Sequence, residues 1–168
     1  MTIAIDRNYL EIKSIDDLLE SDNSKLKCST NLVKPDDFQI NKFFYKNIGK
    51  KHRWLDRLVW SEKRWIEYSS SLHVDTYVLK AKGNLAGYFE LISHPDLEEI
   101  EIAYLGLLVE YQNKKLGSYL LSTAIKKSFQ KKDVKRVWVH TCTLDHKNAL
   151  KNYLARGMKI FKKELIKI

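Results

Sequence analysis

The chain has 168 residues, of which 44% are hydrophobic and 30% are charged. This profile suits one globular domain with a single core over residues 1–168. No apolar run approaches the length of a membrane span, and the first residues lack the basic start and long apolar stretch of a signal peptide. We therefore expect a cytoplasmic protein without membrane contact.

The two cysteines, Cys28 and Cys142, supply neither a disulfide framework nor the spacing of a metal site. We expect free thiols in a reducing compartment and no bound metal.

The formal net charge is +9 at pH 7, and from residue 105 onward fifteen Lys and Arg stand against four Asp and Glu. The lysines fall on exposed faces of predicted helices without interleaved aromatic residues, so a solvated surface explains them better than nucleic acid binding does. We do not expect a nucleic acid partner. The charge does predict a positive potential that attracts an anionic ligand.

Residues 1–34 are ambiguous. Ser14–Leu19 has the pattern of a short capped helix, and Lys27–Val33 is the candidate for the first strand. Lys34 precedes Pro35, which favours an extended conformation and a boundary between elements.

Two helices are predicted before the middle of the chain. Asp36 and Asp37 can cap a helix that begins at Phe38 and that Gly49 ends. Apolar residues at helical spacing predict the second helix over Trp54–Tyr68.

A hairpin follows, with strands over 74–80 and 85–92 and a turn at Lys82–Asn84. Glu90 is the only charged residue of the second strand, so its carboxylate is a candidate to take a proton. The alternative is a carboxylate held at the rim by a Lys or Arg. Several aromatic residues could line a pocket, although most of them suit a core: Trp54, Trp60, Trp65, Tyr88 and Phe89.

The central feature is a strand, a turn and a helix over residues 99–129. Ile100 to Tyr104 alternate with polar or small residues and Leu105 to Val109 are almost all apolar, which predicts a strand that becomes fully buried. After Gly117, apolar residues recur at helical spacing. A helix that begins at such a turn aims free N–H groups and the positive end of its dipole at one point, which favours phosphate.

A second strand and helix follow. Arg136–Thr143 is predicted to be a strand, and residues 145–156 carry a helical apolar stripe. Asp145 is a suitable N-cap, and Gly157 is suited to end the helix.

The turn Gln112–Ser118 resembles the pyrophosphate-binding segment of the GNAT superfamily of N-acetyltransferases, (Gln or Arg)-x-x-(Gly or Ala)-x-(Gly or Ala). Gln112 and Gly117 match this pattern. Lys115 departs from it, because the family places a small residue there so that the backbone can approach the diphosphate of coenzyme A.

The late helix resembles the same superfamily independently, through His146, Ala149, Tyr153, Gly157 and Met158. The run from Thr143 to His146, Thr-Leu-Asp-His, also resembles a bacterial subgroup. Together the two matches cover roughly residues 85–165.

The resemblance implies a mixed α/β fold. Its central sheet is mostly antiparallel and twisted, it is splayed near the strand ending at Val109, and helices flank both faces. The resemblance also implies two early helices between the first two strands, which help to shape the acceptor pocket.

The resemblance further implies an N-acetyltransferase that moves an acetyl group from acetyl-CoA to a primary amine by direct attack. Tyr153 would protonate the departing thiolate, and Glu90, as the lone carboxylate of an apolar strand, would help by taking a proton or by binding the acceptor. The strand backbone at Leu107 and Val109 would hold the thioester, and the turn would hold the diphosphate. His146 would contact the cofactor. The cofactor-binding residues in this interpretation are Leu107, Val109, Gln112, Asn113, Lys114, Lys115, Leu116, Gly117, Ser118 and His146.

Lys115 keeps a second hypothesis open, namely a non-catalytic domain of the same fold that binds an acyl-CoA or a protein partner. A covalent route through Cys142, with His140 two residues away, is less favoured because nothing local fixes an activating histidine. The sequence names neither the acceptor nor the oligomeric state.

Overall fold

A seven-stranded sheet with helices on both faces forms the framework of the computed structural model, which describes residues 2–168. Short 3₁₀ turns at 15–17, 95–97 and 109–111 connect some of the elements. The strands are β1 (Ala4–Ile12), β2 (Cys28–Leu32), β3 (Val74–Ala81), β4 (Asn84–His94), β5 (Glu99–Leu107), β6 (Arg136–Cys142) and β7 (Lys159–Lys167). The helices are α1 (Phe38–Gly49), α2 (Glu62–Ser69), α3 (Leu116–Phe129) and α4 (Ala149–Ala155).

The strand order is β2-β3-β4-β5-β6-β1-β7, and every pair is antiparallel except β5 with β6. That parallel pairing covers only three residues of each strand and ends at Glu101. Because Glu90 pairs with Tyr104 and Leu91 with Ile102, Ala103 is an extra residue that bulges and bends β5. The predicted mostly antiparallel, splayed sheet is confirmed.

The central strand ends at Leu107, two residues before the predicted end at Val109. Its second half is only half-buried, whereas full burial was expected. The physical reason is that β6 has already diverged, so this half of β5 faces an open space rather than a neighbouring strand.

The N-terminal strand β1 was not predicted, and the interpretation of Lys27–Val33 as the first strand was wrong. β1 lies between β6 and β7, and Ile3 exchanges backbone hydrogen bonds of 2.8 and 3.0 Å with Ile168. Polar residues interrupt the apolar pattern of β1, and both of its partners come from the last third of the chain. The two early helices consequently lie between β2 and β3.

The first early helix is as predicted, since α1 ends at Gly49 and the Asp37 carboxylate accepts a 3.0 Å hydrogen bond from the backbone N–H of Gln39. The second is much shorter than the predicted Trp54–Tyr68. It begins only at Glu62, after Ser61 caps it, and within the preceding segment residues 56–59 form a turn. Burial of Arg57, described below, pulls that segment out of helical geometry.

The two faces of the sheet carry separate cores because alternate residues of each strand point to opposite sides. Phe89 and Leu91 of β4 pack with buried residues of α3, such as Leu120 and Leu121. Tyr88, on the opposite face, packs with residues of α1. The predicted flanking of both faces by helices is therefore confirmed.

Gly157 ends α4 with a φ of +98°, as a residue after a helix often does. We expect Gly157→Ala to lower the free energy of unfolding by about 2 kcal/mol or more, because an alanine here combines positive φ with a steric clash. An added Cβ would lie 2.2 Å from the backbone oxygen of Asp17. Urea unfolding measures the change.

Gly83→Ala is the matched control, since Gly83 has a φ of +81° and nothing lies within 4 Å of the added Cβ. Gly83→Ala should lower the free energy of unfolding by only roughly 1 kcal/mol, the cost of placing a side chain at positive φ without a clash. Equal losses for the two variants would show that the contact with Asp17 is unimportant.

Candidate functional site

A cavity of about 540 Å³ lies in the gap where β5 and β6 separate. It extends from the turn before α3, past the edge of β5, to the loop between α1 and α2. The cavity therefore has two halves, one beside the N-terminus of α3 and α4, the other beside the α1–α2 loop. Its volume is in the usual range for small-molecule sites.

The turn before α3 leaves backbone N–H groups free. Lys115 occupies the N-cap position, and its side chain makes no capping hydrogen bond. Gly117 and Ser118, in the first turn of α3, line the cavity, so the free amides of this 14-residue helix and the positive end of its dipole lie at the cavity rim. Gly117 has room for a methyl group, since the nearest atoms to an added Cβ are 3.8 Å away. This arrangement is suited to an anionic group such as phosphate.

Lys115 adopts a left-handed conformation with φ 63° and ψ 6°. Lys115→Gly is expected to raise the free energy of unfolding by roughly 0.5–1 kcal/mol, because a side chain in this region is strained. Asn113→Gly is the control, with φ 60° at a residue that tolerates the conformation. It should change stability little in the same urea titration. A destabilised Lys115→Gly would mean that its side chain makes contacts that outweigh the strain.

Asn152 of α4 connects the two helices that border the cavity, and sequence reasoning missed it. Its Nδ2 donates to the backbone oxygen of Gly117 at 3.1 Å, and its Oδ1 accepts from the Ser118 hydroxyl at 3.2 Å. It lines the cavity as well. The only available signal was a polar residue beside Tyr153 on a predicted helix, which is too common to be decisive.

Tyr153 is buried, with 7% of its surface exposed, and it lines the cavity. Burial, with a smaller contribution from the Asp145 carboxylate, raises the pKa of its phenol well above the ordinary value. The phenol therefore remains protonated through the neutral and mildly alkaline range, so it can donate a proton.

Asp145 is not the N-cap of α4 that the sequence predicts. Its carboxylate accepts hydrogen bonds from the Thr141 hydroxyl at 2.6 Å and from the backbone N–H of Cys142 at 3.1 Å. These bonds close a turn directly after β6, so the helix starts four residues later than expected, at Ala149. His146 precedes it and lines the cavity, and its Nδ1 is 3.1 Å from the backbone nitrogen of Asn148.

The structure gathers most of the predicted site residues around this cavity. Those that line it are Leu107, Gln112, Asn113, Lys115, Gly117, Ser118, His146 and Tyr153. The others lie outside its lining: Val109, Lys114, Leu116 and Glu90. Val109 is 52% exposed, and its carbonyl accepts from Gln112 in the 3₁₀ turn, whereas the side chain of Leu116 belongs to the core.

Glu90 is completely buried in a network on the α1 face of the sheet. Its Oε2 accepts from Arg57 Nη1 at 2.9 Å and from the Tyr68 hydroxyl at 2.5 Å. Its Oε1 accepts from Asn41 Nδ2 at 2.9 Å and from Arg57 Nη1 at 3.2 Å. Asn41 also donates to Thr76 at 2.8 Å. Glu90 is thus fully engaged by side chains rather than turned toward the cavity.

Arg57 is 6% exposed and is the cationic partner in this network. Burial is the largest single influence and disfavours its charge, but Glu90 together with Tyr68 and Tyr104 outweighs burial, and the pKa of Arg57 rises above its ordinary value. Aromatic rings surround the guanidinium with centroids 4.1 to 5.9 Å from its carbon. These rings belong to Tyr45, Trp60, Trp65, Tyr68 and Tyr104.

Of the aromatic residues proposed to line a pocket, Trp54 lies on the cavity, and its ring is 4.6 Å from that of Tyr104. Trp65, Tyr88 and Phe89 are buried in the packed interior, as the alternative interpretation expected. Trp60 covers Arg57 outside this cavity.

Cys142 and His140 both line the cavity. Burial raises the pKa of the Cys142 thiol, which makes the reactive thiolate scarcer at neutral pH. The raised pKa of the thiol therefore gives the covalent route no support.

The separated strands, the uncapped helix and the buried phenol are the features expected of an acetyltransferase of the family that the sequence resembles. A model of the acetyltransferase (GNAT) family matches residues 38–158, and the chain belongs to that family. Acetyl transfer is the general activity of this family and of its acetyltransferase structural neighbours.

Solved structures of low sequence identity share the fold. A GCN5-related N-acetyltransferase from Sphaerobacter thermophilus has a TM-score of 0.74 at 12% identity, and the match covers 98% of this chain and 51% of that one. The aminoglycoside acetyltransferase meta-AAC0020 from an uncultured soil metagenomic sample has a TM-score of 0.63 at 13% identity, over 77% and 87% of the two chains. The ribosomal-protein-S18-alanine N-acetyltransferase from Escherichia coli has a TM-score of 0.59 at 17% identity, over 77% and 76%.

The chain spans 51 to 60% of the length of the first structural relatives it matches. No curated protein matches it in sequence. Across residues 2–168, no helix is long and apolar enough to cross a membrane, and no cluster of three or more His, Cys, Asp or Glu is arranged to hold a metal ion.

Proposed function

We propose that the protein transfers an acetyl group from acetyl-CoA to a primary amine by direct attack. One observation carries this proposal: a single cavity joins the uncapped N-terminus of α3, the separated edges of β5 and β6, and the buried phenol of Tyr153. An anion site, an unpaired strand edge and a proton donor are what this transfer needs in one place.

The residues fit the donor as follows. The backbone amides from Asn113 to Ser118, with the Lys115 ammonium nearby, would bind the diphosphate, and Gln112, whose own amide is bonded to the Val109 carbonyl, would contribute only its side chain. The unpaired edge of β5 near Leu107 would hold the pantetheine arm and the thioester, and His146 would border the cofactor. Acetyl-CoA supplies the activated acyl group. Backbone N–H groups beside the carbonyl would stabilise the negative charge that develops on its oxygen.

The proton balance follows from the attack. The neutral amine forms a bond to the carbonyl carbon, the carbon–sulfur bond breaks, and the thiolate takes a proton from Tyr153. The amine nitrogen releases its own proton to water, and solvent reprotonates Tyr153. For Glu90 we propose a positioning role in place of proton transfer, since its oxygens already accept four hydrogen bonds.

The proposal is tested by calorimetric titration with acetyl-CoA and, separately, with coenzyme A lacking its 3′-phosphate, each at two salt concentrations. A dissociation constant on the order of micromolar that weakens with salt is expected, because charge on the turn contributes to binding. A folded sample that binds neither compound would overturn the proposal.

A second candidate function is a non-catalytic domain that binds an acyl-CoA as a sensor or binds a protein partner. The strained backbone of Lys115, where a small residue would be unstrained, favours it. The two candidates differ in the effect of Tyr153→Phe, which is described in the Discussion.

A further inference from the structure

The cavity contains charges of both signs outside the turn before α3, and they indicate what kind of acceptor it takes. This inference rests on the proposed acetyl transfer. Asp56, from the loop, and Arg7, from β1, both line this cavity. Neither residue belongs to the cofactor-binding turn.

Asp56 forms no salt bridge with any residue in the range 2–168. It is exposed, but the next residue, Arg57, is the most firmly held side chain of the loop. The backbone N–H of Arg57 donates to the Tyr45 hydroxyl at 3.1 Å, and its side chain is paired with Glu90. The Asp56 carboxylate therefore projects from a preorganised backbone, which lowers the entropic cost of binding a ligand.

Arg7 lies in the sheet opposite Cys142 on one side and Glu164 on the other. Its Nε is buried and, within residues 2–168, has no hydrogen-bond partner. A buried donor without a partner costs free energy, so such groups are usually satisfied by something else. A carboxylate or similar anion on a ligand would satisfy the planar fork of an arginine.

His140 lines the same cavity as Arg7 and Asp56. Desolvation and then Arg7 lower the pKa of His140, while Glu101, Asp145 and, least of the three, Asp56 raise it. The same loop brings two other polar groups to the cavity: Arg53 is exposed, as Asp56 is, and His52 Nδ1 lies 3.0 Å from the backbone oxygen of Leu144.

We propose that the acceptor carries both an ammonium and an anionic group, as an amino acid does, with Asp56 binding the ammonium and Arg7 binding the anion. The rings of Trp54 and Tyr104 form an apolar wall beside these charges for the body of the acceptor. The deprotonated form of the same amine then attacks the thioester.

The test is calorimetry on the full chain saturated with coenzyme A, with three probes that share a phenyl group: L-phenylalanine, phenethylamine and 3-phenylpropanoate. We expect wild-type protein to bind L-phenylalanine about tenfold more tightly than either singly charged probe, from one added charge-assisted contact. Arg7→Gln should reduce the affinity for L-phenylalanine to that for phenethylamine. Asp56→Asn should reduce the affinity for L-phenylalanine to the affinity for 3-phenylpropanoate.

Arg64→Gln and Asp96→Asn are the controls, because they make the same charge changes at residues outside this cavity. Both control variants should still bind L-phenylalanine more tightly than phenethylamine and 3-phenylpropanoate. Equal binding of the three probes to wild-type protein, binding of none of them, or a preference that survives both cavity variants would overturn the proposal. If coenzyme A itself does not bind, acetyl transfer fails separately, and the same three titrations without coenzyme A still decide whether the pocket selects a doubly charged ligand.

Discussion

Glu90→Ala is expected to lower the free energy of unfolding by about 3–5 kcal/mol, because it leaves a buried cation without its partner. Arg57 would retain its charge inside a cage of aromatic rings, where water cannot replace the lost carboxylate. Tyr68 and Asn41 would lose their acceptor at the same time. Urea unfolding at neutral pH measures the change.

Glu67→Ala is the matched control, since Glu67 forms an exposed ion pair with Lys63 at 3.9 Å. Its loss should cost less than about 1 kcal/mol. Combining Glu90→Leu with Arg57→Met should recover part of the stability, because no charge then remains buried. A loss for Glu90→Ala as small as that of the control would mean that water or a rearranged side chain compensates Arg57.

Tyr153→Phe is expected to lower kcat about 100-fold, the usual contribution of a proton donor, with little change in the affinity for acetyl-CoA. The substitution removes only the hydroxyl, and the ring continues to fill its place among core residues. The measurement is the release of coenzyme A thiol with the best amine of an acceptor screen, together with calorimetry of acetyl-CoA binding.

Tyr119→Phe is the control on α3, since Tyr119 lies outside the cavity lining. It should leave kcat unchanged. An unchanged rate for Tyr153→Phe would remove Tyr153 from the mechanism. Tight acetyl-CoA binding by the wild-type protein without turnover of any amine would instead favour the sensor.

Local patterns along the chain were sufficient for the parts of the site that are contiguous in sequence. The strand, turn and helix around Gly117 are specified by apolar spacing and one flexible residue, and Gly157 marks the end of α4 for the same local reason. These segments predicted an anion site and a phenol beside it, and the resemblance they carry led to the confirmed family. Neighbouring residues determine backbone geometry there, so no distant contact was needed.

Contacts between distant segments decided the rest. The length of α2 depends on Arg57, which leaves the helical path to reach Glu90, 33 residues away. The environment of Glu90 likewise depends on residues from α1, α2 and their loop. The sequence of its own strand therefore could not show whether the carboxylate is free to accept a proton or is already occupied by hydrogen bonds.

The sequence by itself determined the class of fold, the turn before α3 and the position of Tyr153, because each depends on periodicity and turn chemistry within a short stretch. The tertiary structure alone decided that β1 inserts between β6 and β7 and that β5 and β6 part after Glu101. It also placed Arg7 and Asp56 on one cavity. Strand pairing and charge proximity are interactions between residues far apart in the chain, and no local pattern encodes them.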